Sequence, residues 1–131
     1  MTFRLIFAFL AAMPLAIAVS TPQGAVPIFD GRTLDGWQGT PGVWRVEDGA
    51  ITAAIPEGGR LPRNEFLYWK DEVDDFDLTL EFRLTGHPSA NSGIQFRSQK
   101  DETGHAKGYQ ADIDLGAKWL GCIYDEHGRA L

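Results

Sequence analysis

Cysteine is nearly absent from this 131-residue chain: Cys122 stands alone, which rules out a disulfide within it. Cys122 lies in an apolar, strand-like run, where a lone thiol is expected as a small buried hydrophobe rather than a nucleophile. Cations are also short, with 12 Lys and Arg against 18 Asp and Glu and a net charge of −6. Nucleic acid needs a basic surface, so it is excluded as a partner. The three histidines, His87, His105 and His127, fall in loop-like stretches. They show neither zinc spacing nor a Ser or Cys partner, and only His127, beside Asp125 and Glu126, sits near other ligating groups. The chain has no repeat, no low-complexity tract and no internal linker, and no helical periodicity after its first 20 residues.

Those first residues read as an export signal. Arg4 supplies a positive start, residues 5–15 are apolar, and Ala16, Ile17 and Ala18 fit a small-x-small cleavage site. A second cleavage site at Ala18, Val19 and Ser20 would start the mature chain at Thr21 instead of Val19. The apolar run is too short to span a bilayer comfortably, so a retained anchor is the lesser alternative. The expected division is residues 1–20 as signal and 21–131 as one small domain, periplasmic or extracellular, with no membrane contact after cleavage. Loss of Arg4 makes the domain one unit more acidic than the whole chain.

The domain alternates. Phe76, Leu78, Leu80, Phe82 and Leu84 interleave with Asp77, Thr79, Glu81, Arg83 and Thr85. A period of two makes a β-strand with one apolar and one polar face. After a loop over residues 86–93 the pattern resumes, with Ile94 and Phe96 against Gln95 and Arg97. A third run sets Tyr109, Ala111, Ile113 and Leu115 against Gln110, Asp112 and Asp114. Earlier in the chain, Asp48 and Gly49 separate two β-prone runs, a strong hairpin signal because this pair favours the turn whose twist matches the strands. Residues 66–69 read as a short buried strand and 119–125 as a last one. Many short strands with frequent turns predict an all-β, antiparallel two-sheet sandwich or barrel. The last strand ends close to Leu131 and leaves an open edge, so the chain is expected to be a C-terminally incomplete, N-terminal part of a larger sandwich.

If the three alternating strands are neighbours, one sheet face carries Glu81, Arg83, Gln95, Arg97, Gln110, Asp112 and Asp114. Antiparallel sheets often keep one solvated face, and cross-strand charge pairs on it need no ligand. This face holds planar amides, guanidinium groups and carboxylates and no Lys, with Tyr109, Trp119 and Tyr124 close in sequence to stack on a ring. Such a face also suits the many hydroxyls of a sugar.

Glu81 and Asp112 are the carboxylates placed for proton transfer, and paired carboxylates serve glycoside cleavage. A structural ion pair of Glu81 with Arg83 or Arg97 is the competing reading. Asn91, in a turn-like Asn-Ser-Gly sequence, could point into the polar face and bind a hydroxyl. No cofactor is called for. Asp112, Asp114, Asp125 and Glu126 leave open a hard cation such as Ca²⁺, although no EF-hand-like loop is present.

The segments FDGRTLDGW, WRVEDGAIT, FLYW, DFDLTLEFRL, NSGIQFRS, GYQADI and GCIYDE together resemble the bacterial 3-keto-disaccharide hydrolase domain family, over nearly all of residues 29–131. The resemblance implies a jelly roll of the concanavalin A-like lectin and glucanase type, and family members continue into further strands. It also implies substrates already oxidised to a ketone, which acidifies the neighbouring C–H. A base removes that proton, a donor holds the enolate, the glycosidic oxygen leaves by β-elimination, and water adds back. On this reading Glu81 or Asp112 is the base and Arg83 or Arg97 holds the enolate. Asn91, Gln95, Gln110, Asp114 and Tyr124 hold substrate. The alternatives are a non-catalytic carbohydrate-binding module and a surface interaction domain. Oligomeric state is open.

Overall fold

The computed structural model describes residues 24–55, 59 and 61–126. The expected signal segment and His127 lie outside the described residues, as does the side chain of Glu126. Among the described residues seven strands follow in order: β1 (Trp37–Gly39), β2 (Trp44–Glu47), β3 (Ala50–Ala53), β4 (Leu67–Trp69), β5 (Asn91–Lys100), β6 (Ala106–Asp114) and β7 (Ile123–Glu126). There is no helix among the described residues, and every pairing is antiparallel. The class is therefore all-β, consistent with a jelly-roll type sandwich.

The hairpin expected at Asp48 and Gly49 is β2–β3, with Glu47 opposite Ala50. Both turn residues have positive φ, 51° and 76°, which defines the tight primed turn that a right-twisted ribbon prefers. β1 pairs with β4 and sets Trp37 opposite Trp69. Their rings meet edge to face at 5.1 Å, and Trp37 Nε1 donates to the Ile28 carbonyl at 2.9 Å. Gly36 is required beneath them, since its φ is +83° and a β-carbon there would strike the Trp69 ring.

The largest sheet runs β5-β6-β7. Its register carries a bulge between Phe96 and Gln99. Arg97 takes φ 47°, and Gly108 faces it with φ 154°, packed against Ser98 and the Arg97 carbonyl where no β-carbon would fit. Two residues on β5 therefore oppose one on β6.

Three sequence expectations change. Residues 76–85 form no strand and make no backbone hydrogen bond among the described residues. A period of two prepares a strand, but a ladder needs a neighbour to supply its hydrogen bonds. The three alternating runs are thus not one sheet; two of them are, joined by β7. The expected strand over residues 119–125 is shorter, because residues 119–122 turn back through a Cys122 N–H to Trp119 carbonyl bond of 2.9 Å. Cys122 is consequently exposed rather than buried. Among the described residues Ala106 is the one fully buried hydrophobe, and the other large apolar side chains are half-buried or exposed.

Candidate active site on the polar face of the large sheet

The β5–β6 register sets Asn91 opposite Asp114, Gly93 opposite Asp112 and Gln95 opposite Gln110. On the next strand Tyr124 faces Gln110. Because side chains alternate, these residues share one face, while Ile94, Phe96, Tyr109, Ala111, Ile113 and Ile123 share the other. Phe96 and Tyr109 stack at 5.9 Å on that apolar side.

A continuous line of hydrogen bonds crosses the polar face. Ser98 Oγ donates to Gln95 Oε1 at 2.9 Å, Gln95 Nε2 donates to Gln110 Oε1 at 3.0 Å, and Gln110 Nε2 donates to Asp112 Oδ1 at 2.6 Å. Each amide is oriented by its neighbour, so the carboxylate of Asp112 is held at the end of a fixed polar row. Gly93 makes room for it: a β-carbon at 93 would collide with the Gln110 side chain.

The expected site residues divide. Gln95, Gln110 and Asp112 are brought together and are half-buried, with Tyr124 beside them and exposed. Asn91 belongs to β5 rather than to a turn and lies at the far end of the same face. Asp114 is on the face, but its carboxylate is engaged by the following turn, accepting the Gly116 N–H at 3.2 Å and the Trp119 N–H at 3.0 Å. Arg97 is carried off the row by the bulge. Ser98 takes its place, and Arg97 instead forms an exposed ion pair with Asp75 at 3.2 Å. Glu81 and Arg83 lie in the unpaired segment 76–85, exposed, with no hydrogen bond or ion pair among the described residues. The Glu81–Arg83 or Glu81–Arg97 pair considered from sequence is therefore not formed there. Among the described residues no group of three His, Cys, Asp or Glu is placed to hold a metal.

Sequence reasoning missed a second polar locus. A cleft of about 330 Å³ is lined by Thr40, Arg63, Glu65, Tyr68, Lys100 and His105, among others, and by none of the expected site residues. Glu65 accepts from the Thr40 hydroxyl, Tyr68 donates to the Gly104 carbonyl at 3.1 Å, and the His105 ring meets Phe66 edge to face at 5.0 Å. Burial, then the nearby Asp101 charge, pushes the Tyr68 hydroxyl above its usual pKa. Three segments far apart in sequence build this cleft, so no local motif marks it.

The family model for 3-keto-alpha-glucoside-1,2-lyase-like domains matches residues 24–130. The chain belongs to that family. A curated relative, the 3-keto-disaccharide hydrolase of Bacteroides thetaiotaomicron, is 31% identical over 94 residues, which cover 63% of this chain and 32% of the relative. The chain thus spans about a third of the length of the relative it matches. No solved structure matches it significantly.

Proposed function

We propose that this chain is an exported carbohydrate-active protein that cleaves the glycosidic bond of 3-keto-glycosides, with Asp112 as the base. The observation that carries this reading is the Gln95–Gln110–Asp112 row, in a chain of the lyase-like family. A ketone at C3 acidifies the proton on C2. Asp112 takes that proton, the C2–H electron pair enters the enolate, and the enolate expels the oxygen on C1 as the C1–O bond breaks, the leaving oxygen taking up the proton that Asp112 holds. Water then adds to C1 of the enone, and the sum is hydrolysis. The amide of Gln110 keeps the Asp112 carboxylate in place through Oδ1 and leaves Oδ2 for the proton. Gln95, Asn91 and Tyr124 supply hydrogen bonds to substrate hydroxyls or to the enolate oxygen, a task for which donor geometry matters more than formal charge. Glu81 and Arg83 enter only where residues 76–85 approach the sheet with substrate bound.

The test is to incubate the full chain with a 3-keto-α-glucoside and follow both the released monosaccharide and the ultraviolet absorbance of an enone intermediate. Release that disappears in Asp112→Asn supports the proposal. Sugar binding retained in the wild-type chain with no bond cleavage overturns it in favour of a carbohydrate-binding module, which the same fold class accommodates.

A further inference from the structure

We propose, resting on the reading of Asp112 as the base, that the substrate is an oligosaccharide whose leaving group ends in an acidic sugar, held by Lys100 and Arg63 in the second cleft. The bulge connects the two places. Gln95 faces Gln110 before it and Lys100 faces Ala106 after it, so the extra residue on β5 brings Ser98 and Lys100 into phase with the amide–carboxylate row. Along β6, Asp112, Gln110, Gly108 and Ala106 alternate onto that same face. Lys100 therefore stands on the face that holds Asp112, at its hairpin end, and the cleft of about 330 Å³ that it lines opens there. Alternation counted without the bulge puts Gln99 in this place and Lys100 on the opposite side.

The cleft has the donors for an anion. Lys100 Nζ lies 5.0 Å from the centre of the Tyr68 ring, and no carboxylate pairs with it among the described residues. Arg63 donates to the Thr103 carbonyl at 3.2 Å and lies 3.7 Å from Glu65, which leaves other N–H groups of its guanidinium to give. The acids close by are already engaged. Glu65 accepts from the Thr40 hydroxyl, and Asp101 accepts the Thr103 and His105 N–H groups. A carboxylate or sulfate entering the cleft thus meets two cations with protons to donate. Length decides the rest. Asp112 and Ala106 are six residues apart on β6, about 20 Å at the ordinary rise of a strand. A disaccharide does not reach from one to the other, so filling both places selects a longer chain.

The experiment is isothermal titration calorimetry on the full chain with three unoxidised tetrasaccharides: maltotetraose, and the same length ending in a glucuronate or in a 6-sulfated glucose at the reducing end. At least one acidic probe is expected to bind about tenfold tighter than maltotetraose, the size of one partly solvated charge-assisted hydrogen bond, and which one does so names the acid. Lys100→Gln should erase the advantage and Lys100→Arg should keep it. Lys100 is exposed, so both variants keep the fold, which far-ultraviolet circular dichroism checks. Equal binding of all three probes, binding of none, or an advantage that survives Lys100→Gln overturns the inference. Cleavage of a 3-keto-α-glucoside without any acidic preference overturns it alone and leaves the proposed function standing. Acidic preference without cleavage supports the cleft and overturns the catalytic reading.

Discussion

Gly93 faces Asp112 across the β5–β6 ladder, and the side chain of Gln110 fills the space that a β-carbon at 93 would need. The glycine therefore leaves the Gln110 amide the space from which it bonds Asp112. Gly93→Ala is expected to push Gln110 aside and break its 2.6 Å bond to Asp112. Overpacking of this kind costs about 1–3 kcal/mol. Urea unfolding would show that loss, and turnover of a 3-keto-glycoside should fall further than the folded fraction does.

On the proposed function, Asp112→Asn and Gln110→Ala separate proton transfer from positioning. Removing a general base typically lowers the rate by about 10²–10⁴-fold. Asp112→Asn should fall in that range in kcat with little change in KM. Gln110→Ala keeps the base but frees its orientation, so a smaller loss in kcat with a rise in KM is expected. Steady-state kinetics on both variants distinguishes them. A collapse of kcat in Glu81→Gln, with Asp112→Asn unaffected, would move the base to the segment 76–85.

The bulge depends on Gly108. Its φ of 154° and its contact with Ser98 and the Arg97 carbonyl leave no space for a side chain. Gly108→Ala should destabilise the β5–β6 hairpin by about 2 kcal/mol, through strain and forced displacement together. Because Ser98 begins the polar row, the same variant should disorder Gln95. Differential scanning calorimetry and amide exchange along β5 would record both effects.

The loop between β5 and β6 is expected to respond to pH in a defined direction. The His105 N–H, then the Thr103 hydroxyl, hold the Asp101 carboxyl below its usual value of 3.8. A folded-state pKa below the unfolded one contributes stability that is complete above about 3.8 and is lost as the pH falls through the lower, folded value. Amide exchange at Thr103 and His105 should therefore quicken, relative to its intrinsic rate, only at pH below 3.8. Asp101→Asn should make the loop's protection independent of pH in that window.

How much of this was legible in the sequence depended on how far the deciding contact lay along the chain. Gln110, Asp112 and Asp114 share a face by alternation alone, and Asp48 with Gly49 announces its own turn; both are local facts. The bulge at Arg97 is less local. Its signal was Gly108 inside a strand pattern, where a missing side chain marks a close backbone approach. Alternation counted through Arg97 put its guanidinium on the wrong side. Residues 76–85 show the opposite failure, since the clearest alternation in the chain has no ladder among the described residues. Periodicity sets which side of a strand is apolar but says nothing about whether a neighbour arrives. The family resemblance was legible in a series of short motifs, and the family model matches residues 24–130. The cleft at Arg63, Tyr68 and His105 was not, because its walls come from three separate segments.

The edge-to-face tryptophans at positions 37 and 69 give the molecule an optical reporter of its own. Two indoles 5.1 Å apart and inclined at 60° couple their strong ultraviolet transitions, which produces a paired positive and negative band in the circular dichroism spectrum. That couplet exists only while the small β1–β4 sheet is closed, so its amplitude follows the unzipping of one corner of the protein without any added label.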